Sequence, residues 1–225
     1  MKLTTAMLLA AGRGKRMLHL TQETPKPLLR IKDKPLIIYH LENLAQAGIN
    51  KVVINHAYLG EQIKELVGNG DKFGLSIEYS PEPCDGLETA GGIFKALPKL
   101  GDKPFITINS DIYTSYDFKN LKLTEDKLAH LVLVPNPNHN LAGDFILDNN
   151  LIKNITLSKD DSLTTYTFAG IAVYHPQLFK NCQSGRYPIP PILRNYASLL
   201  QVSGEIFEGL WNDIGTPERL HKANH

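Results

Sequence analysis

Short apolar runs alternate with segments of helical periodicity over the first 135 residues. The runs predict buried strands at residues 5–10, 51–56, 75–80, 105–110 and 130–135. Between them, apolar positions at helical spacing predict helices at residues 35–47, 60–67 and 89–97. The first of these begins at a proline and stops at Gly48, as helices commonly do. Alternating strands and helices predict an α/β fold whose mostly parallel sheet is covered on both faces.

The pattern changes after residue 135. Residues 144–148 and 151–155 predict a β-hairpin around Asn149 and Asn150, whose side chains favour turns. The remaining predicted elements are a strand at 167–174 and helices at 191–200 and 216–223. Because no linker, repeat or low-complexity tract interrupts the chain, we expect one domain over residues 1–225. Its Rossmann-like, three-layer core would cover about residues 1–135, and a small β-rich lobe with a closing helix would cover 136–225.

Composition and charge exclude several classes of protein. The 24 Lys and Arg residues nearly balance the 23 Asp and Glu residues, and the net charge of +1 gives no overall attraction to nucleic acid or anionic membranes. No apolar segment approaches the roughly 20 residues that span a bilayer, and residues 1–11 lack signal-peptide features. Cys84 and Cys182 show neither disulfide-framework nor zinc-site spacing. We therefore expect a cytoplasmic protein without a nucleic acid or membrane partner, in which any anion site is local.

A glycine-rich turn with basic residues follows the first strand. Gly12 and Gly14 would let the backbone turn sharply and bring its N–H groups close to an anion. Four cations accompany them: Arg13, Lys15, Arg16 and Lys26. A dinucleotide fingerprint would need a third glycine where Met17 stands, and the P-loop pattern is absent. The turn predicts a phosphate site, the alternative being an ordinary strand-to-helix turn with basic residues on its surface.

The run L-A-A-G-x-G-x-R-M, followed by P-K-P-L, resembles the signature of sugar-1-phosphate nucleotidylyltransferases. These enzymes join a nucleoside triphosphate to a sugar 1-phosphate and release pyrophosphate. The resemblance implies the nucleotide-diphospho-sugar transferase type of fold, with the nucleotide on the first part of the chain and the sugar on the second. The sequence lacks the hexapeptide repeat of the left-handed β-helix that some relatives carry.

Two aspartates are candidate metal ligands. Asp111 follows a predicted strand, and Asp213 stands in W-N-D-I-G-T before the last predicted helix, where oxygen ligands could hold a hard cation. The resemblance implies that Asp111 and Asp213 bind Mg²⁺, although Ser110 replaces the family's more familiar glycine. It also implies that Arg16 binds the departing phosphates and that Lys26 neutralises charge on the transferred phosphoryl group. Taken alone, Asp213 could equally be a turn or helix-approach residue, whereas a purely structural role is the less favoured interpretation of Asp111.

The nucleoside and the sugar are assigned by resemblance alone. Residues 81–92 contain L-x-T-A-G at positions 87–91, like the family segment that reads the base. The residues expected to bind nucleotide are Ala10, Ala11, Gly12, Gly14, Arg16, Lys26, Glu82 and Gly86. Glu82 could accept an N–H of uracil or guanine, or could be a solvated loop acid.

Four residues are expected on the sugar: Asn109, Gly143, Asp144 and Gly170. The family's usual glutamate before Lys-Pro is missing from residues 154–165, which puts its reading of sugar hydroxyls in doubt. An N-acetylated or lactyl-bearing sugar would fit that departure.

Longer segments resemble a short bacterial subgroup of the family. V-I-N-H-A-Y-L-G and L-E-T-A-G-G-I-F-K-A-L-P are similar to uridylyltransferases that act on N-acetylmuramic acid 1-phosphate in peptidoglycan recycling. The expected partners are UTP and a sugar 1-phosphate, with the protein a monomer or weak homodimer. The alternatives are a mannose-1-phosphate guanylyltransferase, a glucose-1-phosphate uridylyl- or thymidylyltransferase, and a non-catalytic nucleotide-sugar sensor.

Overall fold

A nine-stranded mixed sheet forms the centre of the computed structural model, which describes residues 2–155 and 163–225. The strands are β1 (Thr5–Leu9), β2 (Arg30–Ile31), β3 (Lys34–Pro35), β4 (Lys51–His56), β5 (Ser76–Pro81), β6 (Phe105–Asn109), β7 (Ile112–Thr114), β8 (Ala129–Val134), β9 (Phe145–Asp148), β10 (Leu151–Lys153), β11 (Thr165–Tyr174), β12 (Val202–Ile206) and β13 (Trp211–Asp213). The α-helices are α1 (Leu36–Gln46), α2 (Gly60–Val67), α3 (Glu88–Leu100), α4 (Pro190–Ser198) and α5 (Pro217–Asn224). In the described ranges, no helix combines the length and apolarity needed to cross a membrane.

One half of the sheet is parallel, in the order β5-β4-β1-β6. The strands β1, β4 and β6 are largely buried because helices cover both faces, whereas the edge strand β5 is partly exposed. Leu8 packs with Leu41 of α1 and Ile63 of α2 on one face. Met7, the preceding residue of the same strand, packs with Ile93 of α3 on the other face. The predicted three-layer α/β class is confirmed.

The other half of the sheet is mixed. The long strand β11 lies antiparallel between β6 and β8, whereas β12 runs parallel to β8. The predicted hairpin forms from β9 and β10, with Asn149 and Asn150 at φ 49° and 61° in its turn. Both predicted parts of the chain thus supply strands to one sheet, and the assignment of nucleotide and sugar to these parts stays a prediction.

Two short ribbons escaped the sequence patterns. β2 pairs with β3, and β7 pairs with β13 in an antiparallel ribbon outside the main sheet. Strands of two or three residues are too short to show a period of alternation. The β7–β13 ribbon matters for the site, because Asp213 faces Ile112 in its register and Asp111 comes directly before β7.

Candidate active site

The glycine-rich turn lies where β1 leaves the parallel half of the sheet. Gly14 has φ 68°, and a Cβ there would come within 3.2 Å of Thr21 and 3.4 Å of Lys26. Its carbonyl accepts hydrogen bonds from the Met17 N–H (2.8 Å) and the Thr21 hydroxyl (3.0 Å). Gly14 therefore packs the turn against Lys26. A Cβ added to Gly12 would meet no atom within 4 Å, and Gly12 is not in the left-handed region, so neither packing nor φ requires a glycine there.

A cavity of about 570 Å³ opens beside this turn. It brings together five cations and two acids, so its balance of charge favours an anion. The cations are Arg13, Lys15, Arg16, Lys26 and Arg186, and the acids are Asp85 and Glu88. We call this the nucleotide cavity, after the sequence prediction made for its residues. It lies beyond the carboxyl end of a parallel strand, the usual ligand position in such sheets.

Arg186 comes from a distant loop that no sequence pattern singled out. The loop is fixed to the start of α3: the Tyr187 N–H donates to the Leu87 carbonyl at 3.0 Å, and the Tyr187 carbonyl accepts from Ala90 and Gly91 at 3.0 and 3.2 Å. These bonds satisfy N–H groups that a helix start leaves unpaired. The Arg186 guanidinium lies 2.8 Å from Glu88, which pairs the cation with an acid of the same cavity.

Glu82 has structural partners that the sequence did not indicate. Its carboxylate accepts from the Asn55 amide at 2.6 Å and from the Leu87 N–H at 2.8 Å. Asn55 in turn accepts from the Ala10 N–H at 2.8 Å, so the end of β1 and the predicted base-reading loop are bonded together. Glu82 therefore holds that loop in place through internal hydrogen bonds, and it is not a solvated loop acid.

Gly86 lies opposite Ala11. A Cβ on Gly86 would stand 3.7 Å from the Ala11 carbonyl, and Gly86 has φ 69°. The two segments predicted to hold the nucleoside therefore lie face to face.

A second cavity, of about 350 Å³, adjoins the first through Arg16, which lines both. We call it the sugar cavity, after the sequence prediction made for its residues. The predicted residues that line it are Asn109, Asp111, Asp144 and Asp213. The Asp144 carboxylate also accepts from the Phe168 N–H at 2.9 Å, which fixes its direction.

Gly143 and Gly170 pack closely against neighbouring side chains. Gly170 has φ 76°, and a Cβ there would stand 2.6 Å from the Asn109 amide nitrogen. Gly143 has φ 68°, and a Cβ would stand 2.9 Å from Thr165. The structure therefore gives both a backbone-packing role behind this wall. Of the segment 154–165, residues 156–162 lie outside the described ranges.

The two candidate metal ligands share the sugar cavity because the β7–β13 ribbon joins them. The Ile214 N–H donates to the Asp111 carbonyl at 2.8 Å. Asp111 forms a close ion pair with Lys26, whose residue surface is only 9% exposed. Asp213 pairs with Arg219 at 2.7 Å, and His139 lies 3.4 Å from the same carboxylate oxygen. Each aspartate is thus held by a cation.

These donors fit magnesium in kind and number. Mg²⁺ takes oxygen ligands and is commonly held by one or two carboxylates, with substrate phosphates and waters completing the shell. Asp111 and Asp213 supply two carboxylates to one cavity beside a set of phosphate-suited cations. Within residues 2–155 and 163–225, no group of three or more His, Cys, Asp or Glu side chains is gathered as a metal site.

A buried histidine supports the sugar cavity from below. His40 of α1 is 2% exposed and lies near Ile112 and Asp111. Burial lowers the pKa of His40 to about 4. A hydrogen bond with the Ile112 backbone and the charge of Asp111 raise the pKa, but their effect is smaller than that of burial. His40 is therefore neutral at neutral pH.

The chain belongs to the nucleotidyl transferase family, whose model matches residues 5–225. This confirms the family resemblance and the prediction that the protein is an enzyme of the sugar-1-phosphate nucleotidyltransferase class, with nucleotide and sugar-phosphate substrates.

Among its relatives is the N-acetylmuramate alpha-1-phosphate uridylyltransferase of Neisseria meningitidis serogroup B, 46% identical over 97% of this chain and 96% of that protein. The mannose-1-phosphate guanylyltransferase catalytic subunit beta of Drosophila pseudoobscura pseudoobscura is 29% identical over 96% of this chain and 60% of that protein. A solved structure, the inositol-1-phosphate CTP transferase from T. maritima, shares the fold with a TM-score of 0.80 at 18% identity, covering 100% of this chain and 98% of that one.

Proposed function

We propose that this enzyme transfers a uridylyl group from UTP to N-acetylmuramic acid 1-phosphate, giving UDP-N-acetylmuramic acid and pyrophosphate. The observation that carries the proposal is the junction of the two cavities. Arg16 lines both, and Lys26 of the nucleotide cavity pairs with Asp111 of the sugar cavity. A triphosphate in the first cavity and a sugar phosphate in the second would meet at this junction. The likeness to the Neisseria uridylyltransferase supports the choice of base and sugar.

In this reaction a phosphate oxygen of the sugar 1-phosphate forms a bond to the α-phosphorus of UTP. The bond from that phosphorus to the bridging oxygen breaks, and pyrophosphate leaves with the electron pair. Proteins promote such transfers mainly by positioning the reactants and neutralising charge. Here Arg16, Arg186 and Lys15 would bind the departing phosphates, and Lys26 would face the phosphoryl group in transfer.

Lys26 is prepared for this role by its surroundings. Pro25 and Pro27 fix the backbone on either side, Gly14 packs against its Cβ, and Asp111 holds its ammonium group. A nearly buried lysine held in this way loses little further freedom when a phosphate replaces one of its partners.

Asp111 and Asp213 would hold Mg²⁺ at the junction. When bound, the ion would supply positive charge that stabilises the negative charge of the reacting phosphates. The ion pairs seen here keep the two carboxylates within one cavity while their charge is matched by Lys26 and Arg219.

The product would serve peptidoglycan recycling in the cytoplasm, where UTP is made, and the enzyme would act as a monomer or weak homodimer. The base and the sugar are tested by pyrophosphate release with UTP, GTP and dTTP. Each nucleotide is paired with N-acetylmuramic acid, N-acetylglucosamine, glucose and mannose 1-phosphates.

The proposal expects release with UTP and the muramic acid phosphate to exceed every other pair, and to vanish when Mg²⁺ is chelated. A preference for GTP with mannose 1-phosphate would keep the chemistry and overturn both substrates. If folded protein binds UTP but releases no pyrophosphate with any pair, the result would favour a nucleotide-sugar sensor.

A further inference from the structure

A third cavity, of about 680 Å³, lies against the sugar cavity and plays no part in the scheme above. We call it the annex. It is formed between the segment after β8, the segment between β12 and β13, and helix α5. His139, Trp211 and Asp213 line both cavities, so the annex is the sugar cavity's direct neighbour.

The apolar walls of the annex are held firmly in place. The Trp211 indole N–H donates to the Ala169 carbonyl at 2.9 Å. The Phe207 ring packs edge-on against Tyr116 at 5.2 Å between centroids. The Ser115 N–H donates to the Leu210 carbonyl at 2.9 Å, which ties the segment between these two walls to the body of the protein. Pro135 and Pro137 also line the annex, which thus presents an anchored apolar surface suited to a short aliphatic group.

Two cations of α5 face the same cavity. Arg219 and Lys222 are three residues apart on the helix and so lie on one face. Arg219 is committed to Asp213 and to the His139 ring at 2.9 Å. Lys222 forms no ion pair or side-chain hydrogen bond with any residue in the described part of the chain. The lining of the annex also includes the exposed Glu208.

The apolar wall, with a cation that has no partner among residues 2–155 and 163–225, favours one kind of ligand. Next to a sugar 1-phosphate site, it suits a substituent of the sugar that carries an aliphatic stem and ends in a carboxylate. We infer that the annex receives the carboxylate-bearing lactyl ether of the sugar, and that Lys222 recognises its charge. This inference rests on the proposed function, because N-acetylmuramic acid is the one sugar among the four compared above that carries such a group.

Lys222 is suited to a clean test, since it is exposed and touches neither candidate aspartate. The dissociation constants of N-acetylmuramic acid 1-phosphate and N-acetylglucosamine 1-phosphate are measured by calorimetry. The enzyme is first loaded with Mg²⁺ and a non-hydrolysable UTP analogue. The two sugars differ only by the lactyl group, so the ratio of their constants isolates its contribution. The variants are Lys222→Glu and Lys222→Arg, with Lys180→Glu, a charge reversal at another exposed lysine, as the control.

We expect wild-type protein to favour the muramic acid phosphate. Lys222→Glu should shrink that preference at least about tenfold, as for the loss of a charged hydrogen bond, while binding of the N-acetylglucosamine phosphate stays within about twofold. Lys222→Arg should retain most of the preference, and Lys180→Glu should retain all of it. An undiminished preference in Lys222→Glu would overturn the role of the annex and leave the proposed function standing. If the wild-type enzyme binds N-acetylglucosamine 1-phosphate more tightly, or binds neither sugar phosphate, both the role of the annex and the proposed function would be overturned.

Discussion

The nucleotide cavity and the sugar cavity are assembled in different ways. The first takes four of its five cations from one continuous stretch of chain, residues 13–26, next to a parallel strand. The second gathers Asn109, Asp144 and Asp213 from separate elements, by way of a short ribbon and the long antiparallel strand β11. Their charges also differ, since cations dominate one cavity and carboxylates the other.

The two cavities therefore have different structural requirements. A loop after a parallel strand is enough to present cations to a phosphate chain. Bringing together the two carboxylates that we propose as metal ligands needs tertiary pairing, which here is the register of β7 with β13. The cavities meet at the Lys26–Asp111 ion pair, so changes at that pair should have larger effects than changes farther into either cavity.

Replacing Lys26 with alanine removes the contact between the cavities and should have the largest effect. We expect Lys26→Ala to lower kcat by about 10³-fold, because a positioned charge at the reacting group is lost. Steady-state pyrophosphate release measures this, and circular dichroism and thermal unfolding check the fold. Lys103→Ala, at an exposed lysine, is the control. A kcat within tenfold of the wild type would remove Lys26 from the mechanism.

Asp213→Asn should affect the carboxylate side alone. Asparagine can still accept from Arg219 but carries no charge, and outer-shell partners of metals are themselves worth about 10- to 100-fold. We therefore expect the Mg²⁺ concentration for half-maximal rate to rise by about 100-fold, with UTP binding in the absence of metal little changed. A magnesium titration of the rate measures this, with Glu125→Gln as the control at an exposed acid. An unchanged magnesium requirement would exclude Asp213 as a ligand.

Arg186→Ala should weaken binding in the nucleotide cavity, with a smaller effect than the two changes above. The effect is smaller because Arg186 and its partner Glu88 are both exposed to solvent. Loss of one charged contact to phosphate corresponds to about a tenfold rise in the KM for UTP. The KM for the sugar phosphate should stay the same, and Arg186→Lys should recover part of the loss. Equal rises in both KM values would mean that the loop acts through general distortion.

The smallest effect on activity, and a specific one on stability, is expected at His40 beneath the sugar cavity. Its pKa falls from 6.5 in the unfolded chain to about 4 in the folded protein, so the unfolded state binds the proton first. The free energy of unfolding should therefore drop as pH falls from 6.5 to 4, by on the order of 3 kcal/mol from this group. Urea unfolding at several pH values should show a shallower decline for His40→Gln than for the wild type. Parallel declines would assign the acid sensitivity to other groups.

Local patterns were sufficient to predict several elements in both parts of the chain. The apolar run of β1, the turn at Gly14 and the Asn149–Asn150 hairpin each depend on neighbours in sequence, and all three are present in the structure. The predicted parallel sheet followed from the alternation of strands and helices, but only its first half is purely parallel. The position of β11 between β6 and β8 depends on pairing over long distances in the chain.

The rest of the site depends on contacts that spacing does not encode. Arg186 reaches the nucleotide cavity only because its loop is bonded to the start of α3. The Glu82 carboxylate accepts hydrogen bonds from Asn55 and Leu87. The position of an acid in a predicted loop does not reveal such partners. The sequence did contain a feature that could have indicated the role of Arg219. Thr216 caps the start of α5, and Arg219 three residues later can reach back to Asp213.

The central claim is that these two cavities join one phosphate from each substrate. It is tested most directly by following the label of [α-³²P]UTP with N-acetylmuramic acid 1-phosphate and Mg²⁺, and separating the products. We expect the label to appear in a UDP-sugar, in amounts equal to the pyrophosphate released and only when the sugar phosphate is present. Label that remains in UTP, or that appears as UMP without the sugar phosphate being used, would contradict the account.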